Sequence, residues 1–297
     1  MLNLYQDIRS SLHFNKFEIG DLLFAEYTCP LQQRMVGLWA EMDYLVHVVS
    51  GRKVWHTAEG DWPAEAGQTI FFRKGAAVVE QFFDHDFCLL LFFVPDAFVR
   101  DVVRELVRLP GAGPAAAPPA PPPAPSPDAA AFTALRVQPD VGLAAFLQSM
   151  IAYFARTEPP SEPLLRLKLE ELVTSVVTGT HNPRLAAYFR SLADHDRPSL
   201  RAIMESNYRF RLTLEEFAAL CHRSLSSFKR DFREAYGESP GKWLVARRLD
   251  HAAALLRGRE MSVTEIAFEC GFEDASHFSR AFRARFGTPP SAFRRGG

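Results

Sequence analysis

The sequence predicts an α+β protein: an N-terminal antiparallel β-barrel with flanking helices, then a C-terminal all-α domain of two helix-turn-helix units joined by a long helix. Three observations lead to this prediction. Residues 20–95 contain many short segments rich in β-branched and aromatic residues, residues 110–128 are a tract of Pro and Ala, and the last hundred residues contain an internal repeat. Short strands without intervening helices are typical of a barrel or jelly roll, and a repeat indicates duplicated structural units.

The composition is that of a folded protein without a membrane segment. Of the 297 residues, 47% are hydrophobic and 23% are charged, which is ordinary for a globular chain. No apolar run reaches the roughly 18 to 20 residues that a membrane helix needs, and charged residues interrupt the N-terminus, so it lacks the centre of a secretory signal. Four scattered cysteines without a C-x-x-C pair disfavour a disulfide framework and a zinc finger. We therefore expect a cytoplasmic protein.

The barrel is predicted over residues 1–109, because Gly-marked turns separate the candidate strands. The strand segments are FAEYTC, LVHVV, KVWHTA, TIFFR and FCLLLFFV. An amphipathic helix from about Phe98 to Leu109 follows them, since Phe98, Val102 and Leu106 share one helical face. Many short strands that end in a flanking helix favour a small antiparallel barrel.

Residues 110–128 are predicted to be an exposed linker, because prolines remove backbone donors and fit neither a helix interior nor a sheet. Residues 129–195 are predicted to form a helical segment with a continuous apolar stripe at helical spacing. The stripe consists of Leu165, Leu169, Leu172, Val173 and Val176. Two interpretations remain open: the stripe packs on the barrel, or it forms the interface of a homodimer. Our hypothesis is that residues 129–195 form a dimerisation segment.

The last hundred residues repeat at an offset of 49 to 50 residues. Leu214–Cys221 matches Val263–Cys270, and Ser226–Gly237 matches Ser276–Gly287, with one residue added in the second turn. In each copy a Ser or Thr precedes the first helix with Glu three residues later, which is a capping box, and Gly follows the second helix. Aromatic residues at i, i+4 and i+8 predict the buried face of each second helix. The pattern therefore predicts two units of helix, tight turn and helix.

The outer faces of the two second helices are polar and basic. Residues 196–297 contain 18 Lys and Arg against 13 Asp and Glu, a net charge of +5, whereas the other 195 residues carry −6. A basic module on an acidic chain suggests a polyanion partner, and such helices fit a B-DNA major groove about 12 Å wide. The outer-face residues are Ser226, Lys229, Arg230 and Arg233 in the first copy, and Ser276, Ser279, Arg280 and Arg283 in the second. A connecting helix over Lys242–Leu256 would hold the two helices at groove segments about 34 Å apart.

The repeat resembles the DNA-binding domain of AraC/XylS-type transcription regulators, above all in SVTEIAFECGFEDASHFSRAFRARFGTPPSAFR (Ser262–Arg294). The resemblance extends over about Pro198–Arg295. It implies a tandem helix-turn-helix domain at 196–297, with recognition helices at Ser224–Tyr236 and Asp274–Arg285, and contact with RNA polymerase. Carried over by position, the base contacts are Ser226, Lys229, Arg230, Ala275, Ser276, Ser279 and Arg280. Of these, Ala275 offers no hydrogen bond, which restricts it to contact with a thymine methyl group.

The first half resembles the cupin-like regulatory domain of the same family over Leu45–Val79, and with Leu164–Val177 it is similar to the type III secretion activator branch. That resemblance implies a homodimeric activator whose N-terminal domain is controlled by a protein partner. The alternative is a small-molecule-responsive regulator of a catabolic or transport operon. It would apply if the aromatic residues of this half line a ligand cavity rather than the core. These residues are Trp39, Trp55, Phe71, Phe72 and Phe92.

Catalytic and metal sites are not expected. Metal-binding cupins supply an H-x-H pair, a Glu and a later His, but Val49 stands two residues after His47, and the surroundings of Ala77 are apolar. No Gly-rich phosphate loop and no nucleophile motif is present. The hypothesis is therefore a non-enzymatic regulator without cofactor or metal that binds double-stranded promoter DNA. Two other classes stay open: a metal-dependent cupin enzyme with a DNA tether, and a helical interaction module that binds no DNA.

Overall fold

The computed structural model describes residues 1–28, 33–83, 86–108, 132–156, 158–194, 197–258 and 261–295. The chain divides after Asp196 into two compact units, called here the N-terminal unit and the C-terminal unit. The predicted linker at 110–128 lies outside the described residues. The finer division at 109 and 128 stays a prediction.

The described residues of the N-terminal unit form two sheets and five helices. In chain order the elements are β1 (Leu2–Asn3), α1 (Leu4–Ser10), β2 (Asn15–Ile19), β3 (Leu22–Thr28), β4 (Met35–Ala40), β5 (Asp43–Ser50), β6 (Arg52–Thr57), β7 (Gly60–Glu65), β8 (Thr69–Phe72), β9 (Gly75–Gln81), β10 (Cys88–Val94), α2 (Asp96–Arg108), β11 (Ala134–Arg136), α3 (Val141–Phe154), α4 (Glu162–Thr178) and α5 (Pro183–Ser191). One sheet has the strand order β1-β4-β9-β6-β7, and the other has β11-β8-β5-β10-β3-β2.

The predicted α+β class and antiparallel sheet domain are confirmed, but the sheets do not close into a barrel. Apart from the short parallel pair β1–β4, the described strand pairs are antiparallel. Each of those pairs lies within one sheet. The domain is therefore an open two-sheet structure, since closure would need a hydrogen-bonded pair between the sheets.

Strand β10 explains how the two sheets and the helices form layers. Leu91 and Phe93 lie in the apolar cluster between the sheets, whereas Leu90 and Phe92 lie in a second cluster together with α2–α5. Successive side chains of a strand point to opposite faces. An unbroken apolar run therefore becomes a strand that is covered on both sides, with helices on the face away from the other sheet.

The apolar stripe of α4 is buried inside the N-terminal unit itself. Its five members are at most 5% exposed: Leu165, Leu169, Leu172, Val173 and Val176. They belong to the same cluster as Phe92 of β10 and Phe146 of α3. Of the two interpretations of this stripe, packing within the chain is therefore the one that the structure has. Side chains that their own chain covers present no surface to a second copy. The homodimer stays a prediction.

Buried polar groups connect the sheet to the helices. The Asp43 carboxylate accepts hydrogen bonds from the Lys74 backbone N–H at 2.8 Å and from the Tyr188 hydroxyl at 2.5 Å. The Lys74 ammonium pairs with Asp96 at the start of α2. Burial raises the pKa of Asp43, and the partners satisfy polar groups that would otherwise destabilise this core.

The described residues of the C-terminal unit are all α-helical in their regular structure. The helices are α6 (Leu200–Asn207), α7 (Leu214–Leu220), α8 (Leu225–Tyr236), α9 (Pro240–Gly258), α10 (Val263–Glu269), α11 (Ala275–Phe286) and α12 (Pro290–Arg295). The predicted pair of helix-turn-helix motifs, α7–α8 and α10–α11, is confirmed, and α9 is the predicted long connecting helix.

Candidate nucleic-acid interface

Matching caps begin the first helix of both motifs. The Glu216 N–H donates to the Thr213 hydroxyl at 3.2 Å, and the Glu216 carboxylate accepts from the Thr213 N–H at 2.7 Å. Ser262 and Glu265 form the same capping box at 3.1 Å and 2.7 Å. The predicted caps are thus confirmed, and each satisfies helix N–H groups that have no partner within the helix.

The tight turns also correspond. Each requires a left-handed residue two positions after its first helix, which is His222 at φ +52° in the first motif and Gly271 at φ +79° in the second. The second helices, α8 and α11, end at Gly237 and Gly287, both with positive φ. Glycine adopts this conformation without steric cost. The sequence alone therefore marks three of these four positions, and His222 is the exception.

The equivalent cysteines are buried parts of the motif cores. Cys221 and Cys270 are both fully buried, and burial raises the pKa of Cys270 to about 12. A thiol with so high a pKa carries almost no thiolate at neutral pH, so it is a poor nucleophile and a poor metal ligand.

Aromatic packing fixes which faces of α8 and α11 remain exposed. Phe228 and Phe232 of α8 are fully buried, as are Phe278 and Phe282 of α11. Further along α8, Tyr236 stacks on Phe232 at a centroid distance of 4.4 Å. The i, i+4 spacing places these rings on one face, and the polar residues between them consequently point away from the core.

The structure places the predicted DNA-contacting residues on those outer faces. The exposed ones are Ser226, Lys229, Arg230 and Arg233 of α8, and Ser276, Arg280 and Arg283 of α11. Ser279 and Ala275 are half-buried, and Ala275 packs against the core of the second motif. The surface of each helix is therefore compatible with base and phosphate contact, although Ala275 presents only part of its methyl group.

Arg230 is held by Asp231 and Ser227, which the sequence pattern does not mark as part of the DNA-contacting surface. Its guanidinium donates to Asp231 at 3.1 Å and to the Ser227 hydroxyl at 3.2 Å, while Arg223 donates to the other Asp231 oxygen at 3.0 Å. Hydrogen bonds from Arg223 and Arg230 lower the pKa of Asp231. A carboxylate next to an exposed arginine orients that arginine. In the sequence, the only sign of this contact is that Asp231 directly follows Arg230. Two adjacent residues of a helix do not in general touch, so this order does not predict the contact.

The connecting helix α9 packs against both motifs. Trp243 contacts Phe232 and Tyr236 of α8, with centroid distances of 5.8 Å and 5.1 Å. Towards its C-terminus, Leu249 and Leu256 belong to the core of the second motif. One helix therefore contributes to two hydrophobic cores.

Two family models match the chain. A helix-turn-helix domain matches residues 217–296, and an ExsA N-terminal regulatory domain matches residues 43–188. The virulence regulon transcriptional activator VirF of Yersinia enterocolitica is 27% identical over 85% of this chain and 89% of its own length. The HTH-type transcriptional regulator ExsA of Pseudomonas aeruginosa is 33% identical over 52% of this chain and 55% of its own length.

Among solved structures, the DNA-binding domain of AdpA in complex with a target DNA is 31% identical, with a TM-score of 0.32, and the match covers 33% of this chain and 87% of that one. The fold, the paired motifs and the family matches define a DNA-binding transcription regulator of the helix-turn-helix class. The C-terminal unit carries a helix-turn-helix domain of the AraC type, and the N-terminal half is similar to that of the type III secretion activators. The matched families are families of regulators and not of enzymes.

The part of the chain that the structure describes holds neither a metal cluster nor a membrane-spanning helix. Within it, no group of three or more His, Cys, Asp or Glu is placed to hold a metal ion. A helix long and apolar enough to cross a bilayer is likewise not found among the described residues.

Strands of both sheets line a pocket in the N-terminal unit. Its lining is mainly aliphatic and aromatic, and it includes Lys53 and Gln81. Of the five aromatic residues that the sequence analysis named, Trp55 lines this pocket. All five are buried: Trp39, Trp55, Phe71, Phe72 and Phe92.

Proposed function

We propose that this protein is a transcription activator that reads two neighbouring major-groove segments with α8 and α11 of each chain. The observation that carries the proposal is the repeated arrangement itself: two motifs with equivalent caps, turns and aromatic cores present polar, basic outer faces. A single basic helix face is usually a solvated surface. The same face on two equivalent helices favours a shared function in binding DNA.

The proposed contacts divide into base and phosphate contacts. Arg230 and Arg280 can each donate two hydrogen bonds to a guanine edge through a planar guanidinium. Lys229 can contact the same kind of edge through its single ammonium group. Arg233 and Arg283, one turn further along, are placed for phosphates, which supply most of the affinity but no sequence information directly. The hydroxyls of Ser226, Ser276 and Ser279 complete the proposed set.

The proposal includes a homodimer, so that four recognition helices meet paired sites and binding is strengthened by linkage. The interface would use a surface other than the buried stripe of α4. It also includes activation through contact with RNA polymerase, and control of the N-terminal unit by a regulatory protein. Its support is the match to an ExsA-type regulatory domain and to regulators described as virulence activators.

A small-molecule effector is the second candidate for the controlling signal. The pocket between the sheets favours it, because such sites are mostly apolar with a few polar groups, and Lys53 and Gln81 supply polar groups here. A protein partner and a small ligand predict different target operons, so one experiment separates them.

The test is to incubate the full-length protein with fragmented genomic DNA of the host at physiological salt and to sequence the retained fragments. Enrichment upstream of a few operons is expected, with secretion genes favouring a protein partner and catabolic or transport genes favouring a small effector. The double variant Arg230→Ala, Arg280→Ala should lose the enrichment. Arg156→Ala, which removes an exposed charge of the N-terminal unit, should retain it. Equal retention of all fragments by the wild type would contradict sequence-specific binding.

A further inference from the structure

We propose that Arg248 of α9 sets the spacing between α8 and α11, and so determines which separation of two major-groove segments the protein accepts. This inference rests on the proposed function, in which both helices bind DNA. Arg248 would be a positioning residue, since it acts through the backbone that enters the first motif and the turn of the second rather than by touching DNA.

The Arg248 guanidinium donates to backbone carbonyls on both sides of the C-terminal unit. Its Nε donates to Tyr208 O at 2.7 Å and its Nη2 to Phe210 O at 2.7 Å, both in the segment that connects α6 to α7. Its Nη1 donates to Gly271 O at 3.1 Å, in the turn of the second motif. One side chain thus joins the entrance of the first motif to the turn of the second.

These contacts need an arginine. The guanidinium is planar and directs five N–H groups along fixed directions, so its three nitrogens can serve three carbonyls at once. A lysine in the same place has the same charge but one nitrogen on a flexible stem. Burial lowers the pKa of Arg248, and hydrogen bonds to three carbonyl dipoles compensate for the lost water.

The segment that enters the first motif and the turn of the second approach each other closely at the same point. Gly271 has φ +79°, and a Cβ built on it would lie 2.7 Å from the Arg209 carbonyl oxygen and 3.1 Å from Cζ of Arg248. The equivalent turn residue of the first motif, His222, carries a side chain. Gly271 is therefore needed for the contact with the segment that enters the first motif as well as for the turn. The residue added in the second turn, Glu273, pairs with Arg211 at 3.4 Å across the same junction.

Arg247 and Asp250, close to Arg248 on α9, each contact one side of this junction. Arg247 pairs with Glu205 of α6, which precedes the first motif, whereas Asp250 pairs with Arg285 of the second, at 2.8 Å and 2.9 Å. Of the three residues, Arg248 is the one that contacts both sides of the junction. Arg247→Lys is consequently a matched control, because it makes the same change one position away and keeps a positive charge beside Glu205 and the Tyr208 ring, while the three carbonyls bonded by Arg248 are not partners of Arg247.

A fixed junction has a measurable consequence on DNA. Each inserted base pair moves one groove segment by about 3.4 Å and rotates it by about 34°. Two rigidly joined helices cannot follow this displacement without distorting the protein or the DNA. The wild type should therefore depend steeply on spacing, and loss of the Arg248 contacts should make that dependence shallower.

The first experiment takes a duplex selected by the wild type and removes or inserts one and two base pairs between the two protected segments. One inserted base pair should weaken binding of the full-length wild type and of Arg247→Lys by about tenfold, but that of Arg248→Lys by about threefold or less. Gly271→Ala should shift or flatten the profile as well. An Arg248→Lys profile parallel to that of the wild type, even at lower affinity, would overturn the proposal.

A second experiment needs no DNA and keeps the inference separate from the proposed function. Spin labels at Glu234→Cys and Ala284→Cys, exposed positions of α8 and α11, report the distance between the helices in full-length protein that also carries Cys29→Ser and Cys88→Ser. Wild type and Arg247→Lys should give one narrow distance, and Arg248→Lys a wider or shifted distribution. If Arg248→Lys does not fold, Gly271→Ala is measured instead. An unchanged distance distribution would overturn the inference. Failure of the wild type to select any duplex would overturn the proposed function and leave this measurement valid.

Discussion

In the first helix-turn-helix motif, Arg230 hydrogen-bonds Asp231, whereas the equivalent pair in the second motif is Arg280 and Ala281. The backbones and apolar cores of the two copies correspond, with capping boxes and buried aromatic rings in both. The difference teaches that packing constrains the inner face of a duplicated motif, while the polar surroundings of the outer face can diverge. We therefore expect the two helices to contribute unequally to DNA recognition.

The largest effect is expected in the cores, where the two copies should behave alike. Phe232→Ala and Phe282→Ala each remove a fully buried ring and should each destabilise the C-terminal unit by about 3 to 5 kcal/mol. Urea unfolding followed by circular dichroism measures this. A loss below about 1 kcal/mol in either copy would break the correspondence between the cores.

Arg230→Ala and Arg280→Ala should each weaken binding to a selected duplex by about 1 to 3 kcal/mol and relax discrimination at a few base pairs. Arg230→Ala should cost more, because its side chain is already oriented by Asp231 and loses less freedom on binding. Titration of matched and mismatched duplexes at constant salt gives both quantities. Equal losses, or wild-type selectivity in both variants, would contradict the proposed difference.

Asp231→Ala tests the orientation of Arg230 directly. Removing the carboxylate frees the Arg230 guanidinium and should cost about 0.5 to 1.5 kcal/mol of binding to the selected duplex. Glu234→Ala is the matched control, since it removes an exposed negative charge from the same helix. Tighter binding by both variants would mean that net charge, and not orientation, governs this face.

The smallest effect concerns the caps of α8 and α11. The first is capped by Ser224 and the second by Asp274, and the hydrogen bond from the His277 N–H lowers the pKa of Asp274. A carboxyl group with a lowered pKa contributes stability above its unfolded pKa and loses it as the pH falls through the folded value. The melting temperature should therefore drop below about pH 4, and less so in Asp274→Ser. Equal drops would show that the cap is not the titrating group.

Much of the C-terminal unit could be predicted because its signals are local. A capping box, a glycine after a helix and aromatic rings four residues apart each act within a few turns of one helix. The Phe98–Leu109 prediction likewise corresponds to α2 at Asp96–Arg108. Ala275 was carried over from the resemblance by position, and its partial burial against the core of its own motif does not follow from that position.

The positions of the strands could be predicted from the sequence, but whether the sheets close into a barrel could not. The apolar run of β10 indicates a strand, but whether a sheet closes depends on pairing between segments far apart in the chain, such as β5 with β10. Such pairing is decided by long-range packing. The sheets stay open in the described structure although their strands have the composition of a barrel.

The sequence by itself determined the repeat, the caps, the aromatic faces and the basic outer surfaces, because these depend on spacing within a single helix or turn. Only the tertiary structure shows which part of the chain each of these surfaces packs against. Helical spacing predicts that Leu169 and Val173 share an apolar face, yet only the packed chain shows that the face covers its own sheet. Likewise, nothing around Arg248 in the sequence distinguishes it from Arg247. Its role arises because folding brings carbonyls from two distant segments within reach of one guanidinium.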